Sequence, residues 1–189
     1  MRPTKRDELV CKAMDIFYRN GFQASGMDLL VAETGISKTS IYKHFTTKEE
    51  LILATLKLRD EHIRGWLFGR MRELGSTPRE QLIAMFDALG EWFSEPTFRG
   101  CMFAKATSEY QDADHPINRQ AARHVEKLTE GLCDLAEQAG MPDPATLARQ
   151  LTLLKEGAVV LATLGHTSSP AQDARAMAVC LLSEPAAAR

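Results

Sequence analysis

The sequence predicts an all-α protein of about nine helices. Three observations predict it. Apolar residues recur at helical spacing almost throughout the 189 residues, helix-starting and helix-breaking residues punctuate those stripes, and no segment alternates as a strand does. An apolar content of 44% beside 25% charged residues suits packed cores in a globular chain.

The first stripe is Leu9, Val10, Ala13, Met14 and Phe17, and it ends at Asn20-Gly21. A short second helix starts near Met27, with Ser25 as its cap and Leu29, Leu30, Val31 and Ala32 along it. Gly35 then supplies the backbone conformation of a sharp turn, and Ile36 plugs the angle it makes. Ser37 caps a third helix, Lys38 to Phe45. The capping box Thr47-Lys48-Glu49-Glu50 opens a long helix that runs to about Leu74. After the turn Gly75-Ser76-Thr77-Pro78, the trio Thr77, Pro78 and Glu80 starts a helix carrying Leu82, Met85, Phe86, Leu89, Trp92 and Phe93. Breaks follow at 94–100, at 111–116 and, most clearly, at Gly140-Met141-Pro142-Asp143-Pro144. The last two helices cover 145–164 and 171–182, and Ser169-Pro170 repeats the start signal of Thr77-Pro78.

Two short helices across a three-residue turn containing glycine are a helix-turn-helix. On the second of them Ile41 and Phe45 face inward. Lys38, Thr39, Ser40, Tyr42, Lys43 and His44 face outward; nearly all can donate a hydrogen bond to a phosphate or base edge, and none is acidic. Residues 1–49 hold eight Lys/Arg against six acids, and the remainder fifteen against nineteen. A basic head on an acidic body agrees with a nucleic-acid-facing end, while the net charge of -2 argues against a generic polyanion binder.

Other chemistries lack their signatures. There is no GxGxxG, GxxxxGK[ST], GxSxG or HExxH, so neither catalysis nor a cofactor is expected, and a small helical enzyme is the weakest alternative. His44, His62, His115, His124 and His166 have no ligand spacing, and no metal is expected. Cys11, Cys101, Cys133 and Cys180 are far apart and read as reduced thiols. Cys101, beside Arg99 and Lys105 near a helix start, gives a thiol redox sensor as a further alternative; its plainer reading is a buried small residue. No apolar segment follows the charged N-terminus as in a signal peptide, and 151–164 is too short to span a bilayer, so a cytoplasmic protein is expected.

Ala13, Phe17, Gly21, Phe22, Ala24, Leu30, Gly35, Ile36, Ser37, Lys38, Ile41, Tyr42, His44, Phe45, Lys48, Glu49 and Leu51 together resemble the tetracycline-repressor (TetR/AcrR) family of transcriptional regulators. The likeness covers residues 5 to 52; it departs at Ser25-Gly26, where paired hydroxyl residues are common, and at Val31, where alanine is usual. The resemblance implies a helix-turn-helix DNA-binding domain over 1–46 and a helical-bundle domain for effector binding and dimerisation over 47–189. It implies a ligand-released repressor, or else an activator, acting as a homodimer on a palindromic double-stranded operator. The implied DNA contacts are Ser25, Ser37, Lys38, Thr39, Ser40, Tyr42, Lys43, His44 and Lys48, with Thr39 and Ser40 on base edges and Tyr42, His44 and Lys48 on phosphates. A mostly apolar small-molecule effector is expected among Trp66, Met85, Phe86, Trp92, Phe93, Cys101, Met102, Phe103, Glu109 and Tyr110, with Glu109 and Tyr110 orienting it. The helix over 145–164 is apolar nearly all round and needs cover on two sides. With the alanine-rich helix after it, it predicts a four-helix dimer interface of Leu147, Leu151, Leu154, Ala158, Leu161, Ala174, Met177 and Leu181.

Overall fold

A computed structural model of the chain describes residues 4–165 and 169–183; His166 lies outside them. Among the described residues the structure is helical without a strand, in nine helices. They are α1 Lys5–Asn20, α2 Met27–Thr34, α3 Lys38–His44, α4 Lys48–Leu74, α5 Pro78–Phe93, α6 Met102–Glu109, α7 Pro116–Gln138, α8 Pro144–Leu164 and α9 Pro170–Ser183.

Local chemistry sets the ends of these helices. Thr77 accepts the Glu80 amide while the Glu80 carboxylate accepts the Thr77 amide, closing a capping box with Pro78 in the first turn. Thr47 accepts the Glu50 amide at the start of α4, but the Glu50 carboxylate reaches one residue further back, to the amide of Thr46. Thr4 and Asp7 form a further box at α1. Gly75 makes the α4–α5 corner: a Cβ there would lie 2.5 Å from the Gln81 nitrogen and 2.9 Å from its Cα, so the backbones meet where only hydrogen fits.

The chain divides into two compact units. One comprises residues up to His62 together with Cys101–His124; the other comprises Ile63–Gly100 and the described residues from Val125 onward. The helices α4 and α7 contribute to both. The first unit is built on Leu9, Phe17, Phe22, Leu30, Ile41, Leu51, Ile52 and Leu56, all buried. Within it, α4, α6 and α7 meet at a polar centre. His124 Nδ1 lies 2.7 Å from Asp60 Oδ1 with both residues buried, and the Phe103 ring stacks on the imidazole at 3.8 Å.

In the second unit α9 packs on both α5 and α8. Leu147, Leu151, Ala158 and Ala174 are buried in this packing. These four residues, expected at the dimer interface, are thus covered within the single chain. Leu154 and Leu181 are half-buried. The outward face of α8 instead carries Leu153 (74% exposed), Gly157, Val160 (48%), Leu161 and Leu164 (71%), spaced as one helical stripe. Apart from the helix's own backbone and the adjoining residues, nothing among the described residues lies within 4 Å of where a Cβ on Gly157 would stand. Met177 is exposed on α9.

Candidate nucleic-acid interface

The helix-turn-helix is assembled by backbone chemistry. Gly35 closes α2 at φ 69, in the left-handed region, and its amide bonds the Val31 carbonyl. Two residues later Ser37 caps α3, its hydroxyl accepting the Ser40 amide at 3.3 Å. Ile41 and Phe45 are buried and anchor α3. Lys38, Thr39, Tyr42 and Lys43 are exposed, and Ser40 and His44 are half-buried. The structure therefore brings the expected outward residues of α3 onto one acid-free surface of a firmly seated helix. Lys38 approaches Asp28 of α2 at 3.5 Å, an exposed pair that leaves its ammonium available to water.

Two expected contacts sit differently. Ser25 does not cap α2; Gly26 occupies that position with no side-chain bond. The Ser25 hydroxyl is buried and donates to the Gly21 carbonyl at 2.6 Å, where Gly21 (φ 85) turns the chain out of α1. It presents no surface to a ligand in this arrangement. Lys48 is half-buried, with Nζ 3.4 Å from the Gln23 carbonyl oxygen. Burial holds its pKa below the ordinary lysine value, opposed by the nearby Glu109 carboxylate.

The residues expected at an effector site divide between the units. Cys101, Met102, Phe103, Glu109 and Tyr110 belong to the first and Trp66, Met85, Phe86, Trp92 and Phe93 to the second. The Glu109 carboxylate accepts the amides of Phe22 and Gln23. Tyr110 rests against His115 at 4.8 Å, and burial raises its pKa, helped by Glu49 and Glu109. Met85 and Phe86 are core. Trp66, Trp92 and Phe93 form an aromatic cluster completed by Phe98, which meets Trp92 edge-on at 4.9 Å. Trp66 and Phe93 are only half-buried there. A cleft of about 660 Å³ elsewhere in this unit is lined by Arg64, Phe68, Arg72, Gln81 and residues of α7, none of them in the expected set.

Cys101 is the N-cap of α6, its sulfur accepting the Ala104 amide at 3.5 Å. The cations expected to activate it have other bonds: Lys105 donates to the Tyr18 carbonyl, and Arg99 to the carbonyls of Pro96 and Phe98. Among the described residues no group of three or more His, Cys, Asp or Glu could hold a metal ion, and no helix is long and apolar enough to cross a membrane.

Comparison with known proteins gives a consistent picture. The family model described as bacterial regulatory proteins, tetR family, matches residues 9–55, and the one described as tetracyclin repressor-like, C-terminal domain, matches residues 78–178. The HTH-type transcriptional regulator YjdC of Escherichia coli is 21% identical over 94% of this chain and 93% of its own. The HTH-type transcriptional activator FasR of Mycolicibacterium smegmatis is 27% identical over 85% of this chain and 69% of its own. Among solved structures, a TetR-family transcriptional regulator from Streptomyces coelicolor superposes with a TM-score of 0.84 at 28% identity, covering 94% of this chain and 87% of that one.

Proposed function

Because this chain belongs to the tetR family of bacterial regulatory proteins, and is thereby a DNA-binding transcription regulator, we propose that it works as a homodimeric repressor of a palindromic operator, released by an apolar small molecule. Residues 1–46 read the DNA and 47–189 bind the effector and the second subunit. The observation that carries this reading is the acid-free outer surface of α3, held by buried Ile41 and Phe45. Thr39 and Ser40 lie at its start, where side chains reach base edges; Tyr42, His44 and Lys48 serve phosphates. Ser37, Lys38 and Lys43 add donors around them. Two such helices about 34 Å apart read successive major grooves, which is the use of a dimer. Repression follows the description of the matched C-terminal model. Activation is the second reading, favoured by the likeness to FasR.

Binding to the protein's own upstream DNA, followed by gel shift, tests the proposal. Lys48→Ala weakens binding to all sequences alike and lowers the dependence of log K on log salt by about one unit. An unchanged salt slope removes Lys48 from the phosphate contacts.

The release step has its own readout. The chain has two tryptophans, Trp66 and Trp92, and both belong to the aromatic cluster. An apolar compound that releases the operator therefore shifts or quenches intrinsic tryptophan emission with the same midpoint as release. Release without any emission change places the effector away from the cluster.

A further inference from the structure

We propose that Glu109 is a positioning residue for operator binding: through it α6 holds the α1–α2 turn, and with the turn the orientation of the recognition helix. The proposal rests on the DNA-binding reading above. Glu109 is the last residue of α6, more than eighty residues away in sequence from the turn it grips. Its two carboxylate oxygens are both committed there. Oε1 accepts the Phe22 amide at 3.0 Å and Oε2 the Gln23 amide at 2.5 Å. Hydrogen bonds from amides to a carboxylate are charge-assisted and directional, and two of them on consecutive peptides fix the course of the turn as well as its distance.

The surroundings are shaped for this grip. Gly21, at φ 85, leaves room for the carboxylate; a Cβ there would stand 2.8 Å from Oε1. The carbonyl of Gln23, in the next peptide along, accepts a hydrogen bond from Lys48 at the start of α4. One turn back along α6, Lys105 donates to the Tyr18 carbonyl at 3.1 Å and stands over the Tyr18 ring, which Arg59 of α4 also covers. So α6 meets the end of α1 and the following turn at two successive points on one face. Its other face carries Phe103, stacked on the imidazole of His124, which pairs with Asp60. Residues 21–26 are the whole connection between α1 and α2, and α2 leads to α3 across the three-residue turn at Gly35. A displacement of α6 is thereby transmitted to the backbone that carries the DNA-reading surface.

The test uses the full-length protein and has two arms. Residue-resolved amide exchange is measured for wild type, Glu109→Ala, Glu109→Gln and Lys105→Met. In Glu109→Ala the Phe22 and Gln23 amides exchange about tenfold faster or more, while amides in α8 are unchanged; Glu109→Gln, which keeps one oxygen acceptor, is intermediate. The second arm uses the duplex that wild type selects from a randomised pool, and the same duplex with one base pair inserted between half-sites. Wild type discriminates strongly between the two. Glu109→Ala binds the selected duplex about tenfold more weakly, with unrelated DNA unaffected, and loses most of the spacing discrimination because its heads are no longer held at one angle. A general loss of stability does not produce that pattern. Unchanged exchange at Phe22 and Gln23, or lost protection with full spacing discrimination, overturns the proposal. Should Glu109→Ala fold poorly, Lys105→Met serves alone, and retained spacing discrimination there overturns it too. If wild type selects no duplex, the DNA-binding reading fails by itself, and exchange at Phe22 and Gln23 still upholds or overturns the grip.

Discussion

Replacing His124 by alanine lowers the stability of the protein by about 3–5 kcal/mol, the usual effect of removing one partner from a buried ion pair or hydrogen-bonded pair. At fixed protein concentration this corresponds to a fall in Tm of about 6–20 °C for a chain of this size. The size of the effect follows from what remains. Asp60 is 2% exposed and loses the imidazole 2.7 Å from its carboxylate, and Phe103 loses the ring stacked on it. A buried carboxylate there loses a close hydrogen-bonded partner, so part of its desolvation goes uncompensated. The apolar double replacement Asp60→Leu with His124→Leu removes both polar groups together and costs less than His124→Ala alone. Thermal and denaturant unfolding of the three proteins decides the matter. A shift below about 2 °C for His124→Ala shows the pair to be energetically idle.

In the homodimer proposed above, Leu153→Glu combined with Val160→Glu abolishes the dimer and with it tight operator binding. Both residues are exposed in the single chain, so the substitutions remove nothing from its core. In a two-fold interface each introduced carboxylate faces apolar surface or its own counterpart, and every change counts twice. Sedimentation at low micromolar concentration then reports half the wild-type mass, and operator affinity falls by about a hundredfold or more as one head loses the other. A variant that remains dimeric and binds as wild type rules out this face of α8.

That second expectation differs from the one the sequence suggests, and the reason is physical. Periodicity locates a stripe but not the direction in which it faces when a helix is apolar nearly all round. On α8 the stripe through Leu147, Leu151 and Ala158 turned inward, and Leu153, Val160 and Leu164 were left outside. Where a signal is local, it was read directly. The Thr77–Glu80 box, the turn at Gly35, the Ser37 cap and the extent of α4 each depend on residues within a few positions of one another. Ser25 shows the limit even there, because its hydroxyl had a choice of two backbone partners and took the carbonyl behind it. Glu109 was legible as an acid near the aromatic set but not in its role, since its partners lie in a distant loop and are main-chain amides that carry no residue signature.

Gly157 has a consequence for how this protein can be improved. A glycine in the middle of a helix costs about 1 kcal/mol relative to alanine, and within the chain nothing crowds the place where a methyl group would go. Judged on one subunit, it is a defect awaiting repair. Judged on a pair of subunits meeting along Leu153, Val160 and Leu164, it is the gap that lets two helices come close. In the proposed homodimer, any stabilising effort scored on the isolated fold therefore selects against assembly at this position, and the two objectives separate at a single hydrogen atom.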